Sequence, residues 1–182
     1  MRRSFEQAFV DLRQHLVSAT QDGARPGIAI FVYPPEWEPR MLARFPRFAE
    51  DCARDIPLEL VDLGQGFLVQ MERRNGLEER LAAVEQQSPE RVLHDLGEIA
   101  RHYLTRLLAT PLAPTATARL LVNAGALGAF VSYSAITNAF HGDGLASSVA
   151  APTVLAFPGE ADERELNLLL LRVDTNYRVQ RI

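Results

Sequence analysis

Apolar positions along the chain alternate between two kinds of pattern. Phe5, Phe9, Leu12 and Leu16 recur at spacings of four, three and four behind Ser4 and Gln7 in a capping-box arrangement, which predicts a helix with one buried stripe, ended by Gln21-Asp22-Gly23. Ile28 to Tyr33 is instead a continuous apolar run between Gly27 and Pro34-Pro35, the pattern of a strand buried on both faces of a parallel sheet. Trp37, Met41, Leu42, Phe45, Phe48, Ala49 and Cys52 return to helical spacing, and Pro46, which lacks an amide donor, is expected to kink or split that helix. Leu58 to Leu63 predicts a second strand. Gly64 to Arg74 and Leu77 to Val84 read as shorter helices around the break at Asn75-Gly76.

Ser88-Pro89 supplies a cap and a proline in the first helical turn, and Leu93, Leu96, Ile99, Tyr103 and Leu107 predict an apolar stripe running down to the Pro111 to Pro114 breaker. Leu120 to Val122 predicts a third strand ending at Asn123-Ala124-Gly125, followed by a helix from Phe130 to Phe140 with Gly142 as its C-cap. Thr153 to Phe157 predicts a fourth buried strand, closed by Pro158-Gly159. In the tail, Leu168 to Leu171 has no clear period, Asp174-Thr175-Asn176 resembles a turn, and Tyr177 to Ile182 is expected to form a closing strand beside the fourth. Right-handed crossovers convert this order into a single α/β domain spanning residues 1–182. Its mostly parallel central sheet is flanked by helices in three layers and closed by a C-terminal strand.

Composition narrows the chemistry. The chain has 182 residues, 47% hydrophobic and 23% charged, the balance of an ordinary globular domain. All 19 basic residues are Arg, which excludes Schiff-base chemistry and the Walker A lysine, and with them a self-sufficient P-loop NTPase. The net charge of −4 provides no global positive field for nucleic acid or anionic lipid. Arginines cluster at Arg40 to Arg47 and Met71 to Arg80, but Glu50, Asp51, Glu72, Glu78 and Glu79 interleave with them, so helix-surface ion pairs are expected and direct nucleic-acid binding is not. The single cysteine, Cys52, leaves no intrachain disulfide or cysteine zinc cluster. With no secretory core after Met1 and no apolar stretch near the roughly 20 residues that cross a bilayer, a cytoplasmic protein without membrane contact is expected.

No pattern specifies catalysis. His94, Glu98 and His102 are spaced as on a zinc helix but lie opposite the apolar stripe, and only His15 and His141 remain as further histidines, so a solvated face without metal is expected. Ser132, Ser134, Ser147 and Ser148 lack a G-x-S-x-G setting. Gly125-Ala126-Leu127-Gly128 is only part of a phosphate-binding turn, and tight turning explains it equally well. Polar residues do gather after strand ends: Tyr33 to Glu36, Asp62, Asn123, and Glu160 with Asp162. That carboxyl edge is the usual ligand crevice of open parallel sheets.

Four segments together carry a family likeness: Leu121-Val-Asn-Ala-Gly-Ala-Leu127, Ile136-Thr-Asn-Ala139, Pro152-Thr-Val-Leu-Ala-Phe-Pro-Gly-Glu160 and Asn176-Tyr-Arg178. The chain resembles the BrxB family, a component of BREX bacteriophage-exclusion systems; Tyr33-Pro34 and Arg44-Phe45-Pro46 resemble that family's amino-terminal half. It departs from the family pattern at Gly128, Ala129 and Ser132, and only one Tyr precedes Arg178. The resemblance implies a non-enzymatic, cofactor-free accessory protein that binds other BREX proteins, first among them the PglZ-like protein. Pro158, Gly159, Glu160, Asn176, Tyr177 and Arg178 are then candidate interaction residues beside the crevice residues Tyr33, Glu36, Asp62, Asn123 and Asp162. The alternative is a ligand- or nucleic-acid-binding module, or a degenerate enzyme, using the crevice.

Overall fold

Strand residues that are apolar on both sides need a helical layer on each face, and the fold supplies two. A computed structural model describes residues 4–21, 28–73, 79, 82, 86, 88–127, 151–161, 165–168, 171–174 and 180–181. The strands are β1 (Ile28–Tyr33), β2 (Leu58–Asp62), β3 (Ala118–Val122), β4 (Thr153–Pro158), β5 (Glu160–Ala161), β6 (Glu165–Leu168), β7 (Leu171–Asp174) and β8 (Gln180–Arg181). The long helices are α1 (Phe5–Gln21), α2 (Glu38–Cys52), α3 (Leu63–Glu72) and α4 (Pro89–Ala109). β2, β3, β4, β1 and β8 form an all-parallel sheet in that order, while β5, β6 and β7 form a separate antiparallel one.

Alternation along the strands sorts the core into two clusters. Ala29, Phe31, Tyr33, Ala118, Leu120 and Val122 meet Phe9, Leu12 and Leu16 of α1 and Met41, Phe45 and Phe48 of α2. Ile30, Leu121, Leu155 and Phe157 meet Leu63 and Phe67 of α3 and Ala100, Leu104 and Leu108 of α4. The β1-to-β2 connection moves along the sheet in the direction opposite to β2-to-β3, so right-handed crossovers put α2 and the α3–α4 pair on opposite faces. The expected three-layer α/β architecture is therefore present.

Local signals account for most boundaries. The Ser4 hydroxyl accepts the Gln7 amide at 3.1 Å, but the Gln7 side chain donates to Asp11 at 2.7 Å instead of turning back, so half of the capping box forms. α2 runs through Pro46 without splitting. Pro46 is exposed, while Met41, Phe45, Phe48 and Cys52 bury the other side, and that burial offsets the roughly 3 kcal/mol cost of an interior proline. Leu63 is the first residue of α3 rather than the last of β2, because Asp62 caps the helix there. On α4 the buried stripe is Leu96, Ile99, Ala100, Leu104 and Leu108, with Tyr103 and Leu107 partly buried. Leu93, expected in the stripe, is exposed.

Arg119 is a charge inside β3, only 2% exposed. By alternation it points to the α4 face, where its guanidinium donates to the Leu107 carbonyl at 2.6 Å and the Thr110 carbonyl at 2.9 Å, and to Glu59 Oε2 on β2 at 2.6 Å. Glu59 and Arg119 are register partners. The arginine thus adds a donor to the Leu107 carbonyl, which otherwise only shares the Thr110 amide, and to the Thr110 carbonyl beyond the helix end, where positive charge also suits the helix dipole.

The tail differs from expectation in two ways. The unperiodic apolar run is an antiparallel hairpin, with Leu168 paired to Leu171. The closing strand exists but lies beside β1, with Ala29 opposite Gln180 and Ile30 opposite Arg181, and not beside β4. The expected helix from Phe130 to Phe140, its cap Gly142, and most of Leu77 to Val84 lie outside the described residues.

Candidate functional site at the carboxyl edge of the sheet

Beyond β1 the chain turns into a 3-10 helix (Pro35–Trp37) leading to the α1–α2 layer, and Trp37 packs there. Beyond β3 it turns into a second 3-10 helix (Ala124–Leu127), whose Ala124 and Leu127 pack in the α3–α4 layer. β4 lies between β1 and β3. Its carboxyl end is therefore the point at which neighbouring connections part to opposite faces, the place where open α/β sheets form a crevice. Pro158 and Gly159 are buried there, and the Gly159 amide donates to the Tyr33 carbonyl at 2.8 Å, tying the turn to β1. Glu160 continues directly into β5.

On one side stands an Asp62–Asn123 unit. Asp62 Oδ1 accepts the Gln65 amide at 2.9 Å, which caps α3, and also accepts Asn123 Nδ2 at 2.9 Å. Asn123 is held at φ 59, a left-handed conformation that Asn tolerates better than most residues. Gly64 makes this possible: a Cβ there would stand 2.7 Å from Asn123 Nδ2 and 2.8 Å from the Ala126 Cβ. The two crevice residues thus bond to each other, and Asp62 Oδ1 holds both a helix and a turn.

On the other side, Tyr33 is 1% exposed and its ring sits in the α1–α2 core, against Phe31 and Phe45. Its hydroxyl donates to Glu38 Oε2, in the first turn of α2. Burial pushes the Glu38 carboxyl above its ordinary range, and the Tyr33 bond only partly opposes this. Glu36 is exposed on the 3-10 helix. Asp162, Asn176, Tyr177 and Arg178 lie outside the described residues. β8 meets the amino-terminal half of β1, the end of the sheet away from Gly159.

Three groups were missed from sequence. Glu38 was overlooked because its helical position gives no sign of a buried tyrosine partner. Tyr103 crosses onto α3 so closely that a Cβ on Gly66 would lie 1.9 Å from its hydroxyl; burial foremost, and then the Asp62 charge, raise its phenol above the ordinary range, so it remains a neutral donor. Arg119 offered a legible signal, since a charge in a strand buried on both faces requires a partner.

His94, Glu98 and His102 are exposed, with Glu98 paired to Arg101, and no group of three or more metal-ligating side chains occurs among the described residues. In the arginine cluster, Arg44 pairs with Asp51 at 3.0 Å and Arg40 stacks 4.2 Å over the Phe5 ring. Between α3 and α4, a cleft of about 160 Å³ is lined by Gln70, His102, Tyr103 and Arg106 over Ile99 and Leu107, smaller than the roughly 300 Å³ at which small-molecule pockets begin. Among the described residues no helix is long and apolar enough to cross a membrane. No family model matches the chain, and the comparisons with curated proteins and with solved structures gave no match.

Proposed function

We propose that this chain is a non-enzymatic accessory component of a BREX-type phage-defence system, working in the cytoplasm by binding other proteins of the system, the PglZ-like protein first. The observation that carries the reading is the use made of the carboxyl edge. There Asp62 is spent on the α3 cap and on Asn123, and Tyr33 and Glu38 are spent on each other. Such bonds build a rigid edge. The BrxB-like segment Pro152 to Glu160 supports the same reading, because it comprises β4 and the turn at the point where the connections part.

Recovery of the tagged chain from its native host, with co-purifying proteins identified, tests the proposal. The PglZ-like protein is expected among them. Glu160→Ala and Arg178→Ala, measured separately for partner recovery and melting, assign the surface: lost recovery with unchanged melting marks an interaction residue, and matched loss of stability marks a structural one. A second reading, a ligand- or nucleic-acid-binding crevice, is favoured by the parting of the connections around β4. Retention on duplex DNA that falls steeply with added salt would support it over the adaptor.

A further inference from the structure

In the cleft between α3 and α4, hydrogen-bond donors converge that the protein itself does not use. Gln70 comes from α3, and Tyr103 and Arg106 come from α4, with His102 beside them. Among the described residues these side chains have no hydrogen-bond partner within the chain. The acceptors around them are occupied. The Arg106 carbonyl accepts the Thr110 amide at 3.0 Å and the Thr110 hydroxyl at 2.7 Å, and Arg119 donates to the Leu107 carbonyl at 2.6 Å and the Thr110 carbonyl at 2.9 Å. A helix C-terminus ordinarily offers bare carbonyls and disfavours anions. Here those carbonyls are covered, and among the described residues no Asp or Glu lines the cleft. The carboxylate whose charge acts on Tyr103 is Asp62, which already accepts from Gln65 and Asn123, and Arg119 acts on the same phenol with the opposite sign. What remains facing the cleft is a set of donors, one of them permanently charged, over the apolar Ile99 and Leu107.

We propose that this cleft binds a small organic carboxylate, its charged end on Arg106, the Tyr103 hydroxyl and the Gln70 amide, and a short apolar body on Ile99 and Leu107. A planar carboxylate matches the guanidinium fork and carries the single charge that one arginine balances. The volume of about 160 Å³ equals that of roughly five waters at about 30 Å³ each, too little for a nucleotide but enough for a carboxylate with a few carbons. Phosphate suits the site less, because its further charge and oxygens would be left against an apolar floor. Tyr103 is fitted to the role, since a raised phenol stays a neutral donor, and Gly66 leaves the space in which its hydroxyl sits.

The binding is independent of the defence-system reading and is tested on the purified full chain without any partner, by NMR titration with butyrate at constant ionic strength. Signals of Gln70, Tyr103 and Arg106 should move together and saturate, while those of α1 stay in place. Arg106→Gln, at an exposed position, should weaken butyrate binding by about tenfold or more, the worth of a charge-assisted hydrogen bond. Tyr103→Phe, which removes the hydroxyl alone, should weaken it by about threefold. Arg101→Gln, on the same helix but outside the cleft, should leave it unchanged. No saturable response to butyrate overturns the proposal, and so does wild-type affinity in Arg106→Gln. Butyramide binding as tightly as butyrate would show that charge is not recognised, and inorganic phosphate binding more tightly at the same residues would show that the ligand class is wrong; either result overturns it.

Discussion

Replacing Arg119 by alanine strips the α4 C-terminus of its buried donor. The carbonyls of Leu107 and Thr110 lose bonds of 2.6 and 2.9 Å in a site where the side chain was 2% exposed. An unsatisfied buried acceptor costs about 1–3 kcal/mol. Leu107 keeps a share of the Thr110 amide at 3.2 Å, which moves its cost to the low end. Glu59 loses its partner too, but at 26% exposure it regains water, so the full penalty of an orphaned buried charge does not apply. The sum is about 2–4 kcal/mol, a large part of the roughly 5–15 kcal/mol by which a domain is stable. Arg119→Lys keeps the charge but not the fork that reaches two carbonyls and a carboxylate, and should recover about half of that loss. Glu59→Gln retains an acceptor oxygen and should cost less than about 1 kcal/mol. Urea unfolding followed by circular dichroism, with a common slope for all variants, measures each. An Arg119→Ala loss below about 1 kcal/mol would refute the capping role. So would a Glu59→Gln loss equal to that of Arg119→Ala, because it would move the weight from the helix end to the ion pair.

Gly66→Ala should destabilise by about 1–3 kcal/mol through overpacking against Tyr103, and by less in a Tyr103→Phe background where the hydroxyl is gone; equal losses in both backgrounds would reject that contact. Asp62→Ala should cost about 2 kcal/mol, one part for the helix cap and one for the Asn123 bond, and should be non-additive with Gly64→Ala, which displaces the same Asn123, as denaturant midpoints of the two single and the double variant will show. For Glu38 the folded carboxyl holds its proton more tightly than the unfolded one, so its contribution is fully present below the ordinary value of 4.5 and is lost as pH rises through the folded value. Glu38→Gln should therefore gain on the wild type in melts taken from that pH upward, and a difference independent of pH would contradict the assignment.

How far the sequence reached depended on whether a feature was local. β1 was legible to the residue because a strand buried on both faces reads as one apolar run between turn residues, and β4, for the same reason, to within its last residue, Pro158. The α4 stripe was legible at Leu96, Ile99, Tyr103 and Leu107, but Leu93 was wrongly included because it too suits a helical period, and the small, fully buried Ala100 gave little signal. The antiparallel pairing of β6 with β7 was hidden because Leu168 to Leu171 are four consecutive leucines without a period. Strand order is a non-local property: nothing within Tyr177 to Ile182 distinguishes β1 from β4 as a neighbour. At the site, Asp62 and Asn123 were found because both follow strand ends. Their joint bond, and the pairing of Tyr33 with Glu38, required knowledge of which strands are adjacent and which layer each ring enters.

The central claim is that this chain acts by binding a partner of the defence system and not by chemistry of its own. Co-elution of the purified full chain with the purified PglZ-like protein of the same system tests that claim most directly. A complex of defined stoichiometry, formed without added nucleotide or metal, is the expected result. Separate elution of both folded proteins at concentrations well above those in the cell would contradict it.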